Sequence, residues 1–190
     1  MPWAEVQRYL SGALRLARFD VGGLARFGDQ PRDARRSFYA AVVVAPLYVL
    51  WVSLHGPAVP EQASFAHYFL FEALSYSIGW LIFPLVMWRF CEFLNCGQRF
   101  FHFITVYNWT AVIQNGLFMA MDLLCWLFGA PDQARGFFGM VLLVYILIYS
   151  WFVARHALAL PFGQALAVVT LDMLTSLLWE VFSGGLSTSR

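Results

Sequence analysis

The run Arg99–Ala130, RFFHFITVYNWTAVIQNGLFMAMDLLCWLFGA, constrains this chain more than any other stretch. It is apolar over more than the roughly 20 residues that a helix needs to cross a bilayer. Yet it holds His102, Thr105, Asn108, Gln114, Asn115 and Asp122. Polar groups in hydrocarbon are costly unless they face protein or water. The run is therefore expected at the centre of a helical bundle, with the other apolar segments around it. The chain is 61% hydrophobic and 12% charged. A soluble domain carries about 25% charged residues, so there is too little polar surface to cover such a core in water. The fold class expected is all-α, an integral membrane bundle.

Five spans are read along the chain. The first is Ser37–Leu54, with Pro46 inside it, and the loop HGPAVPEQASF follows. The second runs from about Ala66 to Trp88 with Pro84 expected to kink it, and Arg89–Arg99 is a polar turn. The third is the opening run. At 1.5 Å per residue it exceeds a bilayer core of about 30 Å, so it must tilt, protrude or break, and a break would fall at Asn115-Gly116. The fourth is Gly136 to about Phe152, and the fifth about Gln164 to Phe182. The end, SGGLSTSR (183–190), reads as a flexible polar tail.

Residues 1–36 lack the basic start and apolar run of a signal peptide, because arginines are spread through them. Val6, Leu10, Ala13, Leu14 and Ala17 recur at helical spacing with Trp3, and Arg8 and Arg15 point the other way. That pattern predicts an amphipathic helix lying in the headgroup plane. Packing under the bundle, or fraying, are the alternatives. Gly22, Gly23, Gly28 and Pro31 read as a linker.

Arginine placement orients the bundle. Arg8, Arg15, Arg18, Arg26, Arg32, Arg35, Arg36, Arg89, Arg99 and Arg155 fall on one side of a five-span layout, Arg135 and Arg190 on the other. Ten against two predicts a cytoplasmic N-terminus. The formal net charge of +1 gives no reason to expect nucleic acid. Cys91, Cys96 and Cys125 fit neither a disulfide framework nor a zinc pattern, and are read as small apolar residues. No cofactor is expected.

Thr105, Asn108, Asn115 and Asp122 follow at intervals of 3, 7 and 7 and share one helix face. On the fifth span Asp172 falls near mid-membrane. An Asp there costs about 2.5–3.5 kcal/mol and each Leu, Val or Phe recovers about 0.3–0.6. Asp172 thus nearly cancels its own span and is expected to face the third or second span. Glu72, Asn108, Asn115, Asp122 and Asp172 therefore form either helix-to-helix hydrogen bonds or, as the alternative, an ion path in a small, oligomeric transporter or channel that uses Asp122 and Asp172. A second candidate site is basic and cytoplasmic: Arg89, Arg99, His102, Arg155 and His156, with Glu92, could hold a lipid phosphate. No serine-nucleophile elbow, zinc-protease motif or phosphate loop is present, so no catalytic role is read.

Tyr145, Trp151 and the segment RHALALPFGQAL (Arg155–Leu166) give an aromatic span, a short turn with a small residue and an Ala-rich final span. In this layout the chain resembles the bacterial members of the Yip1 family of five-span membrane proteins. The resemblance implies a cytoplasmic N-terminal region, the bacterial inner membrane and a membrane-organising or partner-binding role without catalytic residues. The partners implied are membrane lipids, a second copy, or another membrane protein. Deleting residues 1–30 is expected, on this reading, to weaken association but leave the bundle folded.

Overall fold

The structure is a computed structural model and describes residues 1–55 and 65–188, with side chains described to 54 and from 69 to 183. The described residues are helical and turn, with no strand. The helices are α1 (Trp3–Ala17), α2 (Pro31–Ser37), α3 (Tyr39–His55), α4 (Phe65–Phe93), α5 (Phe100–Leu127), α6 (Asp132–Ala157) and α7 (Phe162–Thr188), with 3-10 turns at Val21–Arg26 and Gly97–Arg99. Five segments, Pro31–Leu54, Phe69–Phe93, Gly97–Leu127, Asp132–Ala157 and Phe162–Ser183, are long and apolar enough to cross a membrane. Of the loop expected between the first two spans, residues 56–64 lie outside the described residues, as does Arg190, while His55 and Phe65 end α3 and begin α4.

Helix α5 is the hub, packed against α1, α2, α3, α4 and α6, while α7 closes the bundle against α4 and α6. It is one continuous helix of 28 residues. There is no break at Asn115-Gly116. A glycine inside a helix costs only about 1 kcal/mol, and the Asn115 side chain donates to the Ala111 carbonyl at 2.8 Å, within the helix rather than against it. Helix α7 likewise continues to Thr188, so the expected tail from 183 is helical over most of its length.

Four helices end in the same way. After α1, α4, α5 and α6 a single residue turns left-handed: Phe19, Asn95, Gly129 and Ala159. The next amide then reaches back five residues: Asp20 to Arg15, Cys96 to Cys91, Ala130 to Cys125, and Leu160 to Arg155, at 2.8–3.0 Å. This closure satisfies a carbonyl the helix would otherwise leave open. It explains the cysteines. Cys91 and Cys96 occupy the two positions that touch in such a cap, with their sulfurs 3.2 Å apart. Both are buried and free.

The N-terminal residues correct two expectations. The Gly22–Pro31 stretch is not a linker, since it forms a 3-10 turn and leads into α2 through a capping box of Gln30 and Asp33. Gly23 has to be glycine there: a Cβ would lie 2.6 Å from the Gly12 carbonyl oxygen of α1. The second correction concerns the apolar face of α1. The face that packs on the bundle is Val6, Tyr9, Ala13 and Leu16, at most 2% exposed, whereas Trp3 and Leu14 of the predicted face remain exposed. Tyr9 lies between Phe27 and Trp109, with ring centroids at 5.5 and 5.4 Å. The hydroxyls of Tyr145 and Tyr149 donate to the carbonyls of Ala17 and Ala13 at 2.6 and 2.8 Å. Residues four apart on α6 thus meet residues four apart on α1 in reverse order, so the two helices run antiparallel. Complementary aromatic surface on α5 and α6 is what captures the helix. Residues 1–37 consequently share one hydrophobic core with the spans. Burial pushes the Tyr9 phenol above its usual pKa.

Candidate functional site

Three acids on the apolar segments, Glu72, Asp122 and Asp172, each meet an aromatic donor on a neighbouring helix. The Tyr48 hydroxyl on α3 donates to Glu72 on α4 at 2.7 Å. The Trp51 indole on α3 donates to Asp122 on α5 at 3.1 Å. The Tyr107 hydroxyl on α5 donates to Asp172 on α7 at 2.8 Å. Asp172 therefore faces the third span, as its energetic cost requires. Asn108 is fully buried and donates to the Ser37 hydroxyl at 2.8 Å, tying α5 to the end of α2. Its side-chain oxygen has no hydrogen-bond partner. The spacing of polar residues on α5 pointed to these positions, but not to the aromatic side of each pair.

The acids are not gathered into one path. Asp122 lines an apolar cavity of about 180 Å³ between α3 and α5. Glu72 lines one of about 210 Å³ between α3 and α4. Asp172 lines a crevice of about 10 Å³ among α4, α5, α6 and α7, too small for more than a single water. Asn115 alone of the five predicted residues reaches a larger polar cavity, of about 370 Å³, among α3, α4, α5 and α7. Tyr48 and Tyr107 line that cavity as well, each with its hydroxyl given to an acid. The lining also includes Trp179 and Glu180, which the sequence reading did not select.

These bonds are expected to behave as helix ties. Tyr107→Phe removes the donor and leaves Asp172 buried without a partner, which costs about 1–3 kcal/mol. Asp172→Asn keeps an acceptor oxygen for Tyr107 and is expected to cost less than about 1 kcal/mol. Detergent-denaturation midpoints of the two variants check this order.

The predicted basic cluster is dispersed. Arg89 pairs with Glu92 at 3.2 Å. The Arg155 guanidinium lies 5.2 Å from the Trp151 ring centre. His156 Nδ1 is 2.8 Å from the Phe152 carbonyl oxygen of its own helix. His102 is turned toward Gly28 and Asp29 of the N-terminal unit. Arg99 is exposed just before α5. Arg99 lies close enough to His102 for its charge to act on the imidazole, while Arg89, Arg155 and His156 each have a separate local contact.

Positive charge is concentrated instead on residues 1–37. Arg15 bonds Asp20 at 2.7 Å. That guanidinium, with the Gly22 amide, holds the Asp20 carboxyl below its usual pKa. Arg26 donates to the Ser11 hydroxyl at 2.9 Å, and Arg36 bonds Glu5 at 3.3 Å. Arg18 and Arg35 are exposed and have no ion-pair partner among the described residues. Leu14, Phe19 and Val21 stand exposed beside Arg15 and Arg18. Among the described residues no group of three His, Cys, Asp or Glu side chains is placed to hold a metal ion.

Comparisons with protein-family models, with curated proteins and with solved structures find no match to this chain.

Proposed function

We propose that the chain is a non-enzymatic integral membrane protein, with its N-terminus in the cytoplasm, that acts by association with anionic lipid and with partner membrane proteins. The observation that supports this reading is the folded arginine unit docked on the flank of the bundle. Phe19 meets both Tyr145 and Phe152, with ring centroids at 6.1 and 5.4 Å, so it and the Arg15–Asp20 pair lie beside the C-terminal half of α6 rather than below its end. From Gly136, after the polar Asp132–Arg135 turn, to Tyr145 the apolar length is about 14 Å, and along Phe69–Phe93 it is about 37 Å. A bilayer core of about 30 Å meets both only by tilt or local thinning. The inner leaflet then reaches Arg18, with Leu14, Phe19 and Val21 in its acyl boundary and the guanidinium at phosphate level. The interfacial role predicted for α1 thus passes to its C-terminal tip.

The acids support the same reading, because ties between helix pairs in separate cavities serve a scaffold better than a conducting path. The cytoplasmic N-terminal region and five spans are also what the Yip1 resemblance implies. The test is lipid retention by the full chain. Native mass spectrometry from nanodiscs containing phosphatidylglycerol is expected to show retained anionic lipid, reduced in the Arg18→Gln/Arg35→Gln double variant, since each arginine near a lipid surface is worth about 1 kcal/mol. Equal retention by both proteins contradicts the assignment.

A further inference from the structure

We infer that the 370 Å³ cavity among α3, α4, α5 and α7 is a binding site for a small organic cation of the quaternary ammonium class. The inference goes beyond the lipid and partner association proposed above and does not depend on it. The size is within the range of small-molecule sites, about 300–1,000 Å³. The walls are aromatic: Tyr48, Tyr76, Trp80, Tyr107 and Trp179. Tyr48 and Tyr76 pack on one another at 4.6 Å, Tyr107 packs on Phe83 at 4.5 Å, and Tyr76 and Trp80 meet edge to face at 6.2 Å, so each of these rings keeps its second face for a ligand. The Trp179 indole packs 3.5 Å from where a Cβ on Gly79 would stand, an ordinary contact that sets α7 against α4 at that wall.

The electrostatics select a cation. Among the described residues no arginine or histidine lines the cavity. The three tyrosine hydroxyls are committed as donors elsewhere: Tyr48 to Glu72, Tyr76 to the Ala41 carbonyl, and Tyr107 to Asp172. A phenol that gives its proton to a carboxylate becomes richer in ring electrons, and such a ring face attracts a cation more strongly. These hydroxyls have no proton left to offer an anion. Glu180 supplies formal charge at the rim, and its carboxylate has no ion-pair or hydrogen-bond partner among the described residues. A cation held by several aromatic faces needs no hydrogen-bond donor of its own, which is the property of a quaternary ammonium. Asn115 and Ser183 add polar edges for a hydroxyl on the same ligand.

The experiment is equilibrium binding of radiolabelled choline to the full chain in detergent, measured by scintillation proximity. Its uncharged carbon isostere, 3,3-dimethylbutan-1-ol, is the competitor. Saturable binding is expected, with the isostere competing at least about tenfold more weakly, the ratio that a cation–π contribution of 1–2 kcal/mol gives. Glu180→Gln and Trp179→Leu are each expected to weaken binding about tenfold. Asp122→Asn, in a separate cavity, is expected to leave it unchanged. Glu180 is exposed, so its substitution leaves the fold intact, and elution volume reports on Trp179→Leu. Absence of saturable binding, equal competition by the isostere, or wild-type affinity in Glu180→Gln overturns the site.

Discussion

Deleting residues 1–36 is expected to destroy the folded bundle, not merely its associations. The reason lies in polar groups as much as in apolar ones. Without α1, the hydroxyls of Tyr145 and Tyr149 lose the Ala17 and Ala13 carbonyls that accept from them. The bond from Asn108 to Ser37 loses the α2 helix that places Ser37. Each of these groups then faces lipid or an empty groove, where an unsatisfied polar group costs several kcal/mol. Three such losses exceed what a bundle of marginal stability can absorb. The truncated chain is expected to elute as aggregate from detergent extracts that keep the full chain monodisperse. A truncated chain that stays monodisperse with unchanged helicity would show that the N-terminal unit is an appendage.

The second large effect is at Trp109. Its side chain is completely buried where α1 packs on α5, stacked against Tyr9. Trp109→Ala is expected to cost about 3–5 kcal/mol, the range for an aromatic removed from a core that cannot collapse around the void. Helix α1 is the element held least by covalent context, so it should undock first. Trypsin cleavage at Arg8 and Arg15 should therefore accelerate while the spans stay protected by detergent. Trp109→Phe keeps a ring against Tyr9 and is expected to lose much less.

The spans could be read from the chain because apolar length is a one-dimensional property. Asp172 could be placed for a related reason: its cost in hydrocarbon forces it toward a neighbour, and α5 is the hub. The Tyr107 partner could not be named, since tyrosine is equally at home at an interface. The amphipathic pattern of α1 was equally visible, but what covers its apolar face was not. A headgroup plane and the aromatic flank of α5 and α6 impose the same periodicity. The deciding contacts, Tyr9 on Trp109 and Ala17 on Tyr145, join residues 100 or more positions apart. The cavity walled by Trp179 went unseen for a similar reason: it is assembled from four helices, and no single stretch carries its pattern.

The most direct measurement is the sidedness of the two chain ends in cells, with a fluorescent protein fused before Met1 and alkaline phosphatase fused after Arg190. Five spans with the arginine unit inside predict cytoplasmic fluorescence and external phosphatase activity in the same fusion. Both ends in one compartment would contradict the five-span bundle and, with it, the inner-leaflet position of Arg18.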